Sequence, residues 1–366
     1  MDSVICPEHP AADRETGAVH ACGHNAQCGI LVGIAAALKE EGVLDNLCGK
    51  IKLCAVPAEE LLEIEFRTNL MREGKIKYYG GKTEFLRRGY FDTTDIAFMF
   101  HTHNKLFVDN GSVGIIAKQL TYEGVASHAG GTPWDGRNAL YAATCGLNAA
   151  NALRETFKEE DIIRFHPIIT SGGDMVNSIP SSARIESYVR GKTYAAMQDA
   201  SERINRALCG AALSLGANVD IIDSPGYAPL ENSSEMIELY KEAVALVVTD
   251  DTAVSTGVFA SGSTDMGDLS QVMPAVHPYT RGSNGQLHKM DYNLDDSYKG
   301  CVEPAKIGLT MLYLLLSDNA KRANEIKKGF KPNFSSIKEY LSYIDSLNSS
   351  GKRIEYKDGE AVIKLG

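Results

Sequence analysis

The chain has 366 residues, of which 44% are hydrophobic and 23% are charged, a composition typical of a folded chain that buries a core. At roughly 100 to 200 residues per domain, this length predicts two domains. Lys plus Arg number 37 and Asp plus Glu number 47, so the formal net charge is −10 and no long basic run occurs. Nucleic acid is therefore excluded as an expected partner.

The sequence offers no membrane segment and no signal peptide. Its longest largely apolar stretch, 307–316, contains a Gly and a Thr and falls short of the roughly 20 residues of a membrane span. The first twenty residues lack a basic region followed by an apolar one. We therefore expect a cytoplasmic protein with no membrane partner.

Cysteines are few and irregularly spaced, which argues against a disulfide scaffold and favours free thiols. Seven of the eight are interpreted as small buried hydrophobic residues: Cys6, Cys28, Cys48, Cys54, Cys145, Cys209 and Cys301. The eighth, Cys22, is considered below.

The first third of the chain reads as alternating helices and strands. The run GILVGIAAALKEEG predicts a helix with Asn25 as its N-cap and Gly42 near its end. Alternation in KIKLCAVP predicts a strand that ends at Pro57. A helix-forming stretch, 63–88, leads to DIAFMFHTH, whose apolar run is typical of a strand covered on both faces.

The middle of the chain has a different sequence pattern from the first third. Antiparallel strands with one solvent-exposed face are predicted for the segments IIAKQLTYEGVA, ARIESYVRG and NVDIID. Helices that cover the other face of the sheet are predicted for 138–154 and 195–215. The return segment predicts a helix over 234–247, a Gly/Ser-rich loop, and a long apolar helix that opens with Pro304. The fold class is therefore α/β, with a second domain inserted into the first.

Five of the nine histidines lie in short polar neighbourhoods, and the densest of these is HACGHN. Cys22 and His24 are two residues apart, so on an extended segment their side chains share a face and can reach one centre. The helix predicted to follow would favour a thiolate through its N-terminal dipole. A buried structural pair is the alternative interpretation, because a C-x-H pattern alone is weak evidence.

Two adjacent glutamates strengthen the hypothesis of a site. Glu59 and Glu60 follow one predicted strand, and His101 ends another. One carboxylate of such a pair can bind a metal while the other handles a water proton, although paired glutamates are more often solvated. What favours the site is that all these residues fall at strand carboxyl ends, where open α/β sheets place their sites.

These motifs resemble one known family. The order of the motifs resembles that of metal-dependent amidohydrolases of the aminoacylase and carboxypeptidase family. In chain order they are HACGHN, the Glu pair, the His that closes an apolar strand, GVASHAGGTPWDGRNAL, MVNSIPSSARIESYVRG, GSTDMGD and a late LHK. Within it, the chain is similar to the branch of aminobenzoyl-glutamate hydrolase, auxin-conjugate hydrolases and β-alanyl dipeptidases. The resemblance implies a zinc-peptidase-like catalytic domain with a mixed sheet and an inserted ferredoxin-like α+β domain for dimerisation or lid closure. We therefore expect domain segments at 1–112 (catalytic), 113–224 (inserted) and 225–366 (catalytic).

The resemblance also implies a dinuclear metal site and its residues. The metal ligands would be Cys22, shared by both ions, with His24, Glu60, His101 and His288. Glu59 would be the general base of water attack on an amide carbonyl and would then protonate the leaving amine. The metals would be two divalent ions, zinc or manganese, with cobalt as a further candidate.

Three residues of the inserted domain are implied to act on the substrate. His128 would reach across a homodimer and help to stabilise the oxyanion in the partner's site. Asn177 and Arg190 would hold the free carboxylate of a small-molecule substrate, for which the planar guanidinium of Arg is well suited. Arg190 is equally consistent with a surface charge on a wet strand, and His128 with a loop histidine packed on Trp134.

Several alternatives stay open at this level. His103 competes with His101, and His277 with His288, although the resemblance prefers His101 and His288. Cys22 could instead be a nucleophile with a histidine base. The chain could also be a truncated, non-catalytic binding or oligomerisation module, because the family has a helix and a strand before the segment that Met1–Val4 matches. Aminobenzoyl-glutamate is the first expected substrate and a β-alanyl or other dipeptide the second.

Overall fold

The computed structural model describes residues 2–250, 252–257 and 259–364. The chain forms two compact units. The first unit comprises the residues up to Ser112 together with Leu230–Tyr340, and the second comprises Val113–Pro229 and the residues from Leu341 onward. No helix in these described ranges is long and apolar enough to cross a bilayer.

The helices of both units are α1 His24–Leu38, α2 Ile64–Arg72, α3 Gly81–Arg87, α4 Ala139–Asn151, α5 Tyr194–Ser214, α6 Ser234–Val247, α7 Met266–Ser270, α8 Glu303–Gly329 and α9 Ile337–Ser346. Single turns of 3₁₀ helix occur at Pro133–Asp135, Arg154–Thr156 and Glu159–Asp161, and a π-helical turn at Tyr298–Val302.

The first unit has short strands at Val4–Ile5, Ala18–Val19, Ala97–Phe98, His101–Thr102, Phe107–Val108, Gly111–Ser112, Leu230–Glu231, Ser255–Thr256, Phe259–Ala260, Ala275–Val276, Tyr279–Thr280, Ser283–Asn284 and Asn293–Leu294. The second unit has strands at Gly114–Glu123, Ser127–His128, Arg164–Phe165, Ile168–Ser171, Ser178–Ile179, Ser182–Gly191, Asn218–Tyr227, Ser349–Lys352, Ile354–Lys357 and Glu360–Ile363. The mixed α/β class predicted from the sequence is confirmed.

One parallel pairing positions the functional residues of the first unit. The backbone N–H groups of Ala97, Met99 and His101 donate in turn to the carbonyls of Pro274, Val276 and Pro278, at 3.0, 3.2 and 3.0 Å. The apolar run that predicted a strand at 95–103 is therefore confirmed, and His101 lies at its carboxyl end. Helices α1, α6 and α8 pack around this pairing, with their apolar side chains in one core with Phe100.

Two local predictions for the first unit are wrong. Residues 50–57, all of them described, pair with no strand, because alternation supplies the side-chain pattern of a strand but not a neighbour for its hydrogen bonds. Helix α1 begins at His24 after Gly23, whose φ of 78° is left-handed, so Asn25 lies inside the first turn rather than at the N-cap. The helix also ends at Leu38, before Gly42.

Helix α8 is the long helix predicted to open with Pro304, and Pro304 lies in its first turn. It is interrupted at 317–320, where Asp318, Asn319 and Ala320 have left-handed backbone angles. The apolar half before this break packs on the first core through Ile307, Met311 and Leu315.

The second unit is built on an antiparallel sheet. Its main strands lie in the order Ile168–Ser171, Ser182–Gly191, Gly114–Glu123, Asn218–Tyr227 and Ser349–Lys352. Ala183, Ile185 and Val189 are fully buried, whereas the alternate side chains of that strand are only half-buried, which confirms the predicted one-sided sheet. Helices α4 and α5 cover the apolar face and start at side-chain caps, Asn138 for α4 and Thr193 for α5.

The last part of the chain completes this second sheet. Ser349–Lys352 pairs antiparallel with Asn218–Tyr227, and Ile354, 2% exposed, packs in the second core. Residues 225–229 and the final segment were predicted to belong to the other domain, but the structure groups 225–229 and 341–364 with the second unit. The pattern of a strand does not reveal a partner that lies more than a hundred residues away.

Candidate metal centre

Three potential ligands of the first unit converge on the sulfur of Cys22. Its Sγ lies 3.2 Å from Nε2 of His288 and 3.4 Å from Nε2 of His101. The same Nε2 of His288 lies 3.0 Å from Oε1 of Glu60. A thiol, two imidazoles and a carboxylate thus meet in a cluster whose members come from four separate segments.

His24 and the two glutamates form the other side of this cluster. Nε2 of His24 lies 3.9 Å from Oε2 of Glu59 and 3.9 Å from Oε1 of Glu60. Within the described residues, three overlapping groups have their ligand atoms within 4.8 Å of one another. They are Cys22 with His24 and His101, Cys22 with Glu60 and His288, and His24 with Glu59 and Glu60.

The backbone of the segments explains why these side chains meet. Gly23 turns the chain with a φ of 78°, so that Cys22 precedes helix α1 while His24 is its first residue. His288 also has a left-handed φ, 62°, and its N–H donates to the carbonyl of Ala21 at 2.8 Å. This bond joins the late LHK segment to the HACGHN segment, which lie far apart in the sequence.

Hydrogen bonds fix the orientation of two of the imidazoles. Nδ1 of His101 lies 3.0 Å from the carbonyl oxygen of Thr102, which leaves Nε2 directed toward Cys22. Nδ1 of His24 lies 3.0 Å from Oδ1 of Asp2, which leaves its Nε2 directed toward the glutamates. This arrangement, in which one ring nitrogen is held and the other is free, is the one found around metal-binding histidines.

Asp2 is a site residue that the sequence analysis did not assign. Besides its contact with His24, its Oδ2 accepts hydrogen bonds from the backbone N–H groups of Glu59 at 2.7 Å and Glu60 at 2.6 Å. Burial raises the pKa of Asp2, but these bonds and the one with His24 outweigh burial and hold it well below its usual range. The available signal was an acidic residue in the segment Met1–Val4, which the resemblance matched without giving it a role.

The electrostatics of the cluster fit a divalent cation. Burial first, and then the charges of Glu60 and Glu59, raise the pKa of the Cys22 thiol far above its usual range. Burial, followed by the charge of His24, lowers the pKa of His101 to about 4, so that this imidazole is neutral as a ligand must be. A soft sulfur with imidazoles and carboxylates suits zinc, and a bound cation would offset the concentrated negative charge.

Glu59 and Glu60 differ in the direction of their pKa shifts. Burial, followed by the charge of Asp265, raises the pKa of Glu59 to about 7, while the charge of Lys82 acts in the opposite direction. Burial acts to raise the pKa of Glu60, but the hydrogen bond and the charge of His288, together with smaller contributions, lower it overall. Two adjacent carboxyl groups thus have their pKa values driven apart, which is a common sign of separate roles.

A buried ion pair lies beside the segment that carries Glu59, and it was not predicted from the sequence. The ammonium of Lys82 contacts Oδ1 of Asp265, and the backbone N–H of Lys82 donates to Oδ2 at 2.9 Å. The N–H of Gly81 donates to the carbonyl of Ala58 at 3.0 Å, which fixes this pair beside the glutamate segment. Asp265 lies in the GSTDMGD loop that carried part of the resemblance, whereas Lys82 had no sequence signal.

The competing histidines lie outside the ligand groups. His103 packs edge-on against the rings of Phe107, 5.0 Å between centroids, and Tyr279, 5.8 Å. His277 is 3% exposed, and its ring centroid lies 5.8 Å from that of His101. Neither belongs to a group of described residues whose ligand atoms lie within 4.8 Å of one another.

The three remaining predicted residues lie in the second unit. Ser178 pairs with His128, and the N–H of Ala129 donates to the carbonyl of Asn177 at 2.9 Å, so His128 and Asn177 are neighbours. His128 is exposed, and its Nδ1 accepts hydrogen bonds from the N–H groups of Gly130 and Gly131 at 3.2 and 2.8 Å. Its Nδ1 is therefore an acceptor, and the proton lies on Nε2.

Arg190 lies elsewhere on the second unit, on the wetter face of its sheet. Its Nε donates to Nε2 of His166 at 3.1 Å, and its guanidinium lies 5.8 Å from the ring centroid of Tyr188. The structure thus brings Asn177 and His128 together and holds Arg190 against two rings.

Known proteins resemble this chain over most of its length. It is 30% identical over 322 residues to a Xaa-Arg dipeptidase of Mus musculus, a match that covers 86% of this chain and 67% of the relative. It is 26% identical over 231 residues to a homolog of p-aminobenzoyl-glutamate hydrolase in Haemophilus influenzae, covering 63% of this chain and 51% of the relative. The chain therefore spans between half and two thirds of the length of these two relatives.

A solved structure has a similar fold. It is a Bacillus subtilis protein described as a dinuclear metal binding peptidase from the M20 family, with a TM-score of 0.59 and 18% identity over 85% of this chain and 78% of the other. The model of Peptidase family M20/M25/M40 matches residues 1–315. That match includes every residue of the cluster around Cys22, and it establishes that the chain belongs to the M20/M25/M40 peptidase family, hydrolases of peptide or amide bonds.

Proposed function

We propose that this chain is a metal-dependent amidohydrolase that cleaves a dipeptide or an N-acyl-amino acid beside a free carboxylate. The observation that carries the proposal is the convergence of Cys22, Glu60 and His288, joined by His24 and His101, next to a glutamate of raised pKa. Such a set has more donors than one ion needs, which supports two ions sharing the sulfur.

The ligands of the ions would be Cys22, His24, Glu60, His101 and His288. When bound, divalent ions such as zinc or manganese supply Lewis acidity to the scissile carbonyl and lower the pKa of a nearby water. The donor set alone leaves zinc and manganese both open, because geometry and availability decide between them.

Glu59 would be the general base. Its carboxyl group titrates near neutrality, where a base can both accept a proton from the attacking water and return it to the departing amine. Asp2 and the pair of Lys82 with Asp265 would hold the chain around it, since Asp2 binds the N–H of Glu59 itself.

The substrate would be a small molecule with a free carboxylate. Asn177 and Arg190, which lie on separate parts of the second unit, are each proposed to bind that carboxylate. A dipeptide is favoured because the relative at 30% identity is a Xaa-Arg dipeptidase, whereas the aminobenzoyl-glutamate hydrolase homolog is 26% identical. Aminobenzoyl-glutamate is accordingly the second candidate.

The second unit would act as the dimerisation and lid domain, with a ferredoxin-like arrangement of strands and helices. In its order, the helices α4 and α5 each separate two strands of one antiparallel sheet, as that arrangement requires. The exposed Nε2–H of His128 is available to an oxyanion, and we propose that the oxyanion lies in the site of a second copy.

The geometry argues against Cys22 as a nucleophile. Cys22 is only 7% exposed, so a substrate carbonyl has little access to its sulfur. A cysteine hydrolase would instead present an accessible sulfur.

The test is elemental analysis of the purified chain together with hydrolysis of a substrate panel. The panel contains dipeptides ending in Arg, β-alanyl dipeptides and aminobenzoyl-glutamate, each paired with its C-terminal amide. We expect about two equivalents of zinc or manganese, loss of turnover with a chelator, recovery on adding metal, and poor turnover of the amides. Activity that survives chelation but not alkylation would favour the cysteine mechanism, and metal binding without turnover of any substrate would favour a non-catalytic module.

A further inference from the structure

The backbone that carries the glutamate pair lies outside regular structure. Residues 51–63, all of which the structure describes, belong to neither a helix nor a strand. Strand pairing therefore does not hold the polar backbone groups of Glu59 and Glu60 in place. Backbone groups withdrawn from water need partners, so side chains have to supply them here. The carboxylate of Asp2 does so for the N–H groups of both glutamates.

Arg67 binds the same backbone from its carbonyl side. Its Nη2 donates to the carbonyl of Glu60, and its Nη1 donates to the carbonyl of Tyr79 at 2.9 Å. The arginine side chain is half-buried. Hydrogen bonds from a guanidinium are charge-assisted, and its planar fork holds two acceptors in a fixed relation. Arg67 thus fixes the carbonyl of one glutamate relative to a second segment of the chain.

Helix α2 places Arg67 beside these carbonyls. The helix begins after Glu63, shortly after the glutamate pair, and Glu63 has a left-handed φ of 51°. The hydroxyl of Thr68, the next residue after Arg67, lies 2.9 Å from the hydroxyl of Tyr79. Two neighbouring side chains of α2, Arg67 and Thr68, therefore contact the same tyrosine, one through its backbone and the other through its side chain.

A backbone hydrogen bond joins the two segments at their other end. The N–H of Gly81 donates to the carbonyl of Ala58 at 3.0 Å. A Cβ atom built on Gly81 would lie 2.3 Å from that carbonyl oxygen, so the approach requires glycine. Segments 58–60 and 79–81 are thus joined by this bond at one end and by Arg67 at the other. Arg67 takes the place that a second backbone hydrogen bond would have in a pair of strands.

The position of the Glu60 backbone determines where its carboxylate lies. Oε1 of Glu60 is 3.0 Å from Nε2 of His288, and the two residues form one group of potential ligands with Cys22. A constellation of ligands has to be held within about 0.5 Å of its productive geometry. A group that fixes the backbone of Glu60 therefore contributes to the geometry of the whole cluster.

We propose that Arg67 is a positioning residue of the metal centre, whose guanidinium bridges the carbonyls of Glu60 and Tyr79 and so keeps the Glu60 carboxylate among the other ligands. This inference rests on the proposed metal-dependent function. Because these contacts of Arg67 are with backbone carbonyls, it would act on a bound ion through Glu60.

The experiment titrates the metal-free chain with Co²⁺ and records the visible absorption bands of the bound ion in the wild type, Arg67→Met and Arg67→Lys. Arg67→Met keeps a long side chain but removes the donors. We expect its cobalt dissociation constant to rise about 10- to 100-fold, the usual effect of losing a group that orients a ligand. We also expect its bands to change in position and intensity, because the coordination geometry changes. Arg67→Lys keeps the charge without the fork, so its dissociation constant should lie between those of the wild type and Arg67→Met.

Arg88→Met is the matched control. Arg88 belongs to the same unit, and its Nη2 also donates to a backbone carbonyl, that of Lys75, at 2.9 Å. Lys75 lies outside the segment of the glutamate pair, so we expect this variant to keep the cobalt affinity and the bands of the wild type. Thermal unfolding of the metal-free chains measures any loss of stability separately.

The outcomes separate this inference from the proposed function. A wild-type chain that binds no cobalt would overturn both. Wild-type affinity and bands in Arg67→Met would overturn this inference alone, as would an equal loss of affinity in Arg88→Met, which would point to a general loss of stability. If Arg67→Met does not fold, Arg67→Lys decides. A raised dissociation constant with altered bands in the folded lysine variant would support the inference, and wild-type values would overturn it, because the fork would then be dispensable.

Discussion

At the scale of single residues, Asp2 connects three predicted residues of the candidate centre. One oxygen contacts His24, while the other accepts the N–H groups of both Glu59 and Glu60. One carboxylate therefore fixes an imidazole ring and the backbone of the glutamate pair together. Side chains that orient ligands in this way influence metal affinity almost as strongly as the ligands.

We expect Asp2→Ala to weaken metal binding about 10- to 100-fold, because His24 and the glutamate backbone both lose their anchor. The dissociation constant of zinc, measured by competition with a chromophoric chelator, checks this. Asp13→Ala is the matched control, because Asp13 is an exposed carboxylate that accepts hydrogen bonds from the nearby residues Glu15 and Thr16. Equal zinc affinity in wild type and Asp2→Ala would contradict the role given to Asp2.

The two adjacent glutamates should fail in different ways when substituted. Glu59→Gln should keep the metal but lower turnover by about 10²- to 10⁴-fold, the usual contribution of a general base. Glu60→Ala should lose metal, because its carboxylate contacts His288 and lies within the Cys22 group. Metal content and turnover are measured on both variants, and equal metal loss in the two would refute the division of roles.

The residues of the cluster were predictable because they stand in short motifs. Cys22 and His24 share one motif, and Glu59 and Glu60 another, so their chemistry is visible locally. Asp2 and Lys82 act through partners distant in sequence, His24 and Asp265, and nothing next to them indicates those partners. Such pairings become visible only once the fold has brought the segments together.

At the scale of elements, the second unit depends on the last strands of the chain. Ser349–Lys352 extends its sheet by pairing with Asn218–Tyr227, and Arg353 donates to the carbonyl of Ile221 at 3.3 Å. The following residue, Ile354, is buried in the core that α4 and α5 cover. These residues therefore contribute to the stability of the unit rather than forming a free tail.

We expect Ile354→Ala to lower the free energy of unfolding of the second unit by about 2 to 4 kcal/mol, because it leaves a cavity in a packed core. Val362→Ala is the matched control, since Val362 is 54% exposed, and it should change that energy by less than about 0.5 kcal/mol. Urea unfolding followed by circular dichroism and by hydrogen exchange in 218–227 measures both. Equal effects in the two variants would show that the last strands do not pack as described.

The elements best predicted from sequence were those whose partners lie nearby or whose amphipathic pattern is long. Helix α6 was predicted with its observed ends, Ser234–Val247, and the strand Ser182–Gly191 with its buried face. The prediction for 50–57 was wrong because a strand is defined by a neighbour as well as by alternation. The place of Ser349–Lys352 was missed for the same reason.

At the scale of the whole molecule, the proposal that His128 of one copy acts in the site of another can be tested by mixing two inactive variants. His128→Ala and Glu59→Gln should each be inactive alone, because one lacks the oxyanion donor and the other the base. Mixed and refolded together, they should recover up to about a quarter of wild-type activity, since in a heterodimer one site can receive both intact groups. The control mixes Glu59→Gln with Glu60→Ala, which should recover little because both groups belong to the same cluster; no recovery in the first mixture would indicate a site that one copy completes.

The overall organisation could be predicted in outline. The change from alternating helices and strands to one-sided strands near residue 113 marks the first boundary, where the structure also divides the chain. The end of the inserted segment differs by five residues, and the final segment was assigned to the other unit. Local patterns thus identify the kind of domain, whereas membership of a domain depends on long-range packing.

The interleaving of the two units constrains the order in which the chain can fold during synthesis. The chain passes from one unit to the other at 112–113, 229–230 and 340–341. The parallel partner of His101–Thr102, Tyr279–Thr280, leaves the ribosome only after the whole inserted segment, and the second sheet is complete only when Ser349–Lys352 has emerged. Strands made early in synthesis therefore keep unpaired edges until their partners emerge. We expect folding in the cell to be slow and sensitive to the supply of chaperones.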